Sequence, residues 1–257
     1  MLLIYWKERI FVIQYLGPPQ AGRFSRHFYY CERERIMNAK LLGFFSGFPT
    51  RHFTDDIAAV LKEALTVRDS LVFISSWPDD HAQNDDDSHG MHRMFAEKSM
   101  PFDRHSVIDS RTKAEEAVSM IREASCIFLM GGNATLQFQL MRDKSILNEI
   151  RNSSAVILGV SAGAMNMGGP TVDIYESSTP YEGLGFADIT VKAHYPFEGE
   201  LLQSLKQVSM ELPVCLMTDE SAIFVTKETI AKIGQIYRMV KGEITPITQE
   251  QLEQMRN

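Results

Sequence analysis

Gly159-Val160-Ser161-Ala162-Gly163 stands directly behind an apolar run, Ala155-Val156-Ile157-Leu158. A serine with glycines two residues to either side suits a tight strand-to-helix turn. Such a turn pushes the side chain out at the carboxyl edge of a sheet and strains the serine backbone, and the glycines relieve crowding against neighbouring elements. The helix that follows presents unpaired N–H groups to negative charge developing near the hydroxyl. The chemistry offered is nucleophilic attack by Ser161. A turn that merely connects two elements could carry the same small residues, but the fully apolar strand in front favours the nucleophile.

A serine hydroxyl is a weak nucleophile at neutral pH and needs a base. His27, His52, His81, His89, His92 and His105 all precede Ser161; only His194 follows it, in Val191-Lys192-Ala193-His194-Tyr195-Pro196. The carboxyl end of that strand segment lies on the same rim as the serine turn, where open α/β sheets place their ligands. The third partner should be a carboxylate that orients the imidazole and stabilises its cation. Leu216-Met217-Thr218-Asp219-Glu220-Ser221-Ala222 sets two acids between two strands, again at a rim. Glu220 is the first choice and Asp219 the second. Gly131-Gly132-Asn133 closes the strand before the serine strand, and its glycines let backbone N–H groups approach a reacting carbonyl. The amides of Gly132 and Ala162 are the expected oxyanion hole. Asn133 is a further candidate for substrate contact, as is Asp219 if Glu220 completes the triad.

A second group of residues could bind a metal. Asp79-Asp80-His81, Asp85-Asp86-Asp87, His89 and His92 lie close in sequence, and imidazoles three apart can share a helical face. The spacing matches no familiar site, and a solvated acidic loop is the preferred reading. Neither a metal nor an organic cofactor is expected.

The elements that must position these residues alternate. Leu41-Leu42-Gly43-Phe44-Phe45, Leu71-Val72-Phe73-Ile74, Cys126-Ile127-Phe128-Leu129-Met130 and Ala155-Val156-Ile157-Leu158 are continuous apolar runs. Between them lie helical patterns. One starts at Thr54 or Asp55, one follows a capping box of Thr112 and Glu115, and one spans about residues 135–151. Strands apolar on both faces, alternating with amphipathic helices, predict a mostly parallel sheet covered by helices on both sides. After about residue 210 short strands crowd together, as at 222–225 and 235–240, which predicts antiparallel hairpins at one end of the sheet.

The chain has 257 residues, 44% of them hydrophobic and 23% charged, with a formal charge of -7. These values fit a soluble globular domain, and the acidic balance argues against a diffuse positive field for nucleic acid. Cys31, Cys126 and Cys215 are too few and too scattered for a disulfide framework, so a reducing, cytoplasmic setting is expected. Residues 1–36 stand apart, being basic, aromatic and without sustained period. Their apolar start is broken by Lys7-Glu8-Arg9, too early for a signal peptide or a membrane helix. A poorly ordered extension is expected there, followed by a single α/β domain over residues 37–257.

Met130-Gly131-Gly132-Asn133, Gly159-Val160-Ser161-Ala162-Gly163-Ala164, His194 and Asp219-Glu220-Ser221-Ala222 together resemble the S51 serine peptidases. That family includes aspartyl dipeptidase (peptidase E) and cyanophycinase, and the likeness covers about residues 37–240. The resemblance implies a class I glutamine amidotransferase-like fold. It also implies a Ser–His–Glu triad of Ser161, His194 and Glu220 that hydrolyses through an acyl-enzyme. Peptidase E and cyanophycinase carry arginines shortly after the histidine, whereas the first arginine here is Arg238, so an aspartyl preference does not carry over. Glutamine amidotransferases themselves have cysteine at the turn and a His-x-Glu pair; here Glu198 is four positions beyond His194.

The expectation is therefore a serine-type peptidase acting on dipeptides or tripeptides. A non-catalytic scaffold of the same fold is the alternative, ahead of a metal-dependent hydrolase. Expected partners are a short peptide substrate and at most a second copy of the chain in a homodimer, with no nucleic acid and no membrane.

Overall fold

Strands with apolar side chains on both faces need cover on both faces, and the computed structural model shows how that cover is supplied. It describes residues 5–6, 9–10, 40–173 and 180–256. The chain divides into two units, Met1–Asn38 and Ala39–Asn257, each described by itself. In the first, β1 (Tyr5–Trp6) pairs antiparallel with β2 (Arg9–Ile10). The expectation for residues 1–36 as a whole lies outside the described residues.

The second unit opens with β3 (Leu42–Phe45), α1 (Asp55–Ala64), β4 (Ser70–Ile74), α2 (His81–Glu97) and β5 (Arg104–Ile108). It continues through α3 (Ala114–Glu123), β6 (Cys126–Leu129), α4 (Ala134–Asp143), α5 (Leu147–Asn152), β7 (Val156–Val160) and α6 (Ala162–Met167). A small ladder of β8 (Pro170–Thr171) and β9 (Tyr181–Glu182) leads to β10 (Val191–Tyr195), α7 (Gly199–Val208) and β11 (Val214–Thr218). The chain closes with β12 (Ala222–Val225), β13 (Ile230–Ile233), β14 (Ile236–Val240), β15 (Glu243–Pro246) and α8 (Gln249–Glu253).

The main sheet runs β13-β12-β3-β7-β6-β4-β5. Its five strands from β3 to β5 are mutually parallel, and β12 and β13 add an antiparallel edge. Alternation along each strand divides the core into two layers. Phe45, Phe73, Phe128 and Leu158 pack on one face with Ile57 and Leu61 of α1 and Phe95 of α2. Phe44, Val72, Ile127 and Ile157 face the other way, toward Ile121 of α3, Leu140 of α4 and Ile150 of α5. Burying one large side chain of this kind is worth about 1.5–3 kcal/mol, so both layers contribute to holding the helices on the sheet.

The C-terminal strands do not all stay on this sheet. β10, β11, β14 and β15 form a second sheet, in which β10 and β11 are parallel and the rest antiparallel. It has its own core of Phe197, Leu205, Val214, Leu216 and Met239, closed by α7.

Local expectations hold unevenly. Thr54 caps α1, its hydroxyl accepting from the Ile57 amide at 3.4 Å. The capping box at Thr112 does not form. α3 starts after Lys113 without a side-chain cap, while the Thr112 hydroxyl is taken by the Asp109 amide and the Val107 carbonyl. The helical stretch 135–151 is two helices, broken where Ser145 adopts φ 58°. The acidic stretch read as a loop is the start of a 17-residue helix, α2, capped by Asp80. No helix among the described residues is long and apolar enough to cross a membrane.

Candidate active site

Ser161 sits between β7 and α6 at φ 51° and ψ −111°, a backbone conformation that L-residues avoid and that tight surroundings must impose. Those surroundings are backbone. A β-carbon on Gly163 would lie 2.2 Å from the Leu129 carbonyl oxygen, and one on Gly159 would lie 2.6 Å from the Gly163 carbonyl carbon. Larger residues would force α6 away from β6 and undo the turn. The Ser161 amide donates to the Phe45 carbonyl at 2.9 Å, anchoring the turn to the end of β3.

His194 comes from the second sheet. The β10–β11 register runs Val191↔Cys215 and Lys192↔Leu216, then jumps to Tyr195↔Thr218, so β10 carries one residue more than its partner. His194 stands in that bulge at φ 66°. Bulges re-aim side chains, and here the imidazole lands on the serine: His194 Nε2 is 2.9 Å from Ser161 Oγ. On its other side Nδ1 is 2.7 Å from Asp219 Oδ1. A carboxylate only accepts, so the ring proton belongs on Nδ1, and Nε2 is left to accept from the serine hydroxyl. The histidine and aspartate side chains are 51% and 42% exposed, so the pair lies at the mouth of the site rather than beneath it.

The carboxylate on the ring is thus Asp219, where the sequence reading put Glu220 first. Glu220 turns at φ 61°, its amide donates to the Gly47 carbonyl at 2.8 Å, and its Oε1 accepts from the Thr50 hydroxyl at 3.1 Å. That turn carries its side chain to Thr50, while Asp219 stays on the histidine.

Ser161, His194, Gly132 and Asn133 share a cavity of about 230 Å³, whose wall also includes Trp77 and Lys192. Gly132 has φ 135°, and a β-carbon there would lie 2.4 Å from both Ser76 Oγ and Trp77 Nε1. The Ser76 hydroxyl donates to the Gly131 carbonyl. Ala162 follows the serine as the first residue of α6. Asn133 has a structural task as well: its Oδ1 accepts from the Leu136 amide at 2.8 Å and caps α4.

Sequence reading missed several contributors. Ser46 follows the apolar run that ends at Phe45, and its hydroxyl accepts from the His194 amide at 2.8 Å. Lys192 and Asp173 are buried charges in the cavity wall. Burial pulls Lys192 down to about 8, and the nearby Asp173 carboxylate opposes that fall. Burial, followed by the same carboxylate, pushes the Tyr181 phenol upward. The available signal was a lysine within an otherwise apolar strand, two residues before His194.

The side chains of the His- and Asp-rich stretch have other partners. His81 Nε2 meets Ser110 Oγ at 2.8 Å, His92 Nε2 meets the Phe102 carbonyl at 3.3 Å, and Asp85 pairs with Arg111 at 2.6 Å. Among the described residues no three His, Cys, Asp or Glu side chains are grouped to hold a metal ion.

Comparisons with known proteins agree with this architecture. Residues 82–233, more than half of the chain, match the family model for peptidase family S51. A crystal structure of a peptidase from an acI-B1 Actinobacterium superposes with a TM-score of 0.58 at 13% identity, covering 83% of this chain and 100% of that one. A putative peptidase E protein from Listeria monocytogenes EGD-e gives 0.57 at 16% identity, covering 76% and 98%. At such identities the likeness is one of fold. No curated protein matches the chain. The chain belongs to peptidase family S51 and is a serine-type hydrolase.

Proposed function

We propose that the protein cleaves short peptides, dipeptides or tripeptides, through an acyl-enzyme formed on Ser161. The observation that carries this reading is the hydrogen-bonded line Ser161 Oγ–His194 Nε2–Nδ1–Asp219 Oδ1, with spacings of 2.9 and 2.7 Å. In the proposed cycle His194 takes the hydroxyl proton as Oγ attacks the peptide carbonyl, and Asp219 stabilises the resulting imidazolium. The amides of Gly132 and Ala162 receive the oxyanion, a contribution whose loss typically costs about 3–4 kcal/mol. His194 then gives its proton to the leaving amine, and a water, activated by the same ring, releases the acid. The steps call on no metal or organic cofactor.

The size of the recess supports short substrates: about 230 Å³ suits one or two residues beside the serine.

The test is a scan of a dipeptide and tripeptide library with wild type beside Ser161→Ala, together with labelling by a fluorophosphonate. Cleavage and labelling that both vanish in Ser161→Ala are expected. A folded wild type that cleaves nothing and takes no label would point to a non-catalytic scaffold.

A further inference from the structure

We propose that Ser46 is a positioning residue for the His194–Asp219 pair, and that the end of β3 is the template on which the catalytic groups are assembled. The proposal rests on the serine-peptidase reading above. Three consecutive residues at this strand end each hold one carrier of the site. The Phe45 carbonyl accepts from the Ser161 amide at 2.9 Å. The Ser46 hydroxyl accepts from the His194 amide at 2.8 Å. The Gly47 carbonyl accepts from the amide of Glu220, the residue after Asp219, at 2.8 Å.

Ser46 is the one member of this trio that acts through a side chain, and the reason lies in the β10 bulge. The extra residue removes the His194 N–H from the β10–β11 ladder, so that donor needs another acceptor. The Ser46 hydroxyl supplies it. Its single hydrogen goes to the Met217 carbonyl at 3.0 Å, with Asp219 Oδ1 a longer contact at 3.4 Å. One fully buried hydroxyl therefore fixes the bulge that carries the base to the strand that carries the acid. Alanine would remove the acceptor from the bulge, and a misplacement of about 1 Å at a reacting group can cost about 100-fold in rate.

The experiment uses the full-length protein and a peptide substrate found in the library scan. Ser46→Ala is expected to lower kcat about 10- to 100-fold with KM within about twofold of wild type. A folded Ser46→Ala with kcat within twofold of wild type overturns the proposal. Ser46→Cys, similar in size and a weaker acceptor, should fall between the two; should alanine fail to fold, wild-type kcat in Ser46→Cys overturns it instead. The double variant with Asp219→Asn separates positioning from general weakening of the fold. A double variant nearly as active as Asp219→Asn alone supports Ser46 acting through the pair, and fully multiplied losses overturn that. The low-field Nδ1–H proton signal of His194 gives a readout without substrate: it should broaden or vanish in Ser46→Ala, and an unchanged signal counts against the role. Activity surviving in Ser161→Ala would instead sink the underlying peptidase reading.

Discussion

Gly47 and His194 meet where only a glycine leaves room. A β-carbon at residue 47 would stand 2.6 Å from His194 Cε1 and 2.6 Å from Asp219 Oδ1. Both contacts are to side chains at the mouth of the site, which can swing aside at little cost to the fold. Gly47→Ala should therefore separate stability from activity. The expected outcome is a fall in kcat/KM of about 100-fold, since the imidazole is pushed off the serine, with unfolding free energy changed by less than about 1 kcal/mol. Peptide hydrolysis and a urea titration on the same preparation check it. Wild-type activity in Gly47→Ala would mean that the observed ring position is not the working one.

Asp219 and Glu220 are adjacent acids with different surroundings, and neutralising them one at a time distinguishes their roles. Asp219→Asn keeps the shape but replaces an acceptor with a group that can hold the ring in the wrong tautomer. A loss of about 10⁴-fold in kcat is expected by analogy with triads of this kind. Glu220→Gln loses a charge that faces Thr50 and should cost less than about tenfold, within the range of a surface substitution. The reverse ranking would restore the glutamate as third member and make the Asp219 contact incidental.

That ambiguity shows where the sequence was legible. The strands β3, β4, β6 and β7 are buried on both faces, so each is a continuous apolar run, and the serine turn follows from glycines that backbone contact demands. By contrast β5, Arg-His-Ser-Val-Ile, is an edge strand with only Ile108 buried, and it leaves no such run. α2 escaped for a related reason. The first turns of its inner face present Asn84 and Ser88, satisfied through the Ser75 hydroxyl and the Asp85 carbonyl, and the buried apolar residues Met94 and Phe95 come only near its end. The choice between Asp219 and Glu220 depends on one backbone turn at φ 61°, and two neighbouring acids at a strand end carry no trace of it. The histidine was found by its position after the serine, whereas the bulge that aims it involves pairing between distant strands.

Lys192 gives the site a pH signature in stability. Burial lowers it from 10.5 to about 8 in the folded protein. Below that value both folded and unfolded chains hold the proton, and the buried charge costs about 3 kcal/mol, the equivalent of the shift. Between about 8 and 10.5 the unfolded chain holds a proton that the folded chain has released, so stability rises with pH across this window. Lys192→Met should be more stable than wild type at pH 7 by up to about 3 kcal/mol, with the advantage shrinking toward pH 10.5. Urea titrations at pH 7 and 10 check this, and an advantage that does not change with pH would refute it.

Gln137 stitches together the strand ends that frame the recess. It is fully buried, with Nε2 donating to the Ile74 carbonyl at 2.9 Å and to the Met130 carbonyl at 3.0 Å. Its Oε1 accepts from Asn166 Nδ2 at 3.0 Å, Asn166 also donates to the Ala134 carbonyl at 2.9 Å, and the Tyr181 hydroxyl donates to Asn166 Oδ1 at 2.8 Å. One amide thus ties the ends of β4 and β6 to the helix behind Ser161. In Gln137→Leu the Ile74 carbonyl keeps its bond from the Met130 amide, whereas the Met130 carbonyl and one Asn166 hydrogen lose theirs. Each orphaned buried group costs about 1–3 kcal/mol, so a destabilisation of about 2–6 kcal/mol is expected. Because the two amides form one network, Gln137→Leu and Asn166→Leu should not add, and a coupling of at least about 0.5 kcal/mol should appear in a double-mutant cycle. Strict additivity in urea denaturation would show that Gln137 and Asn166 stabilise the fold independently.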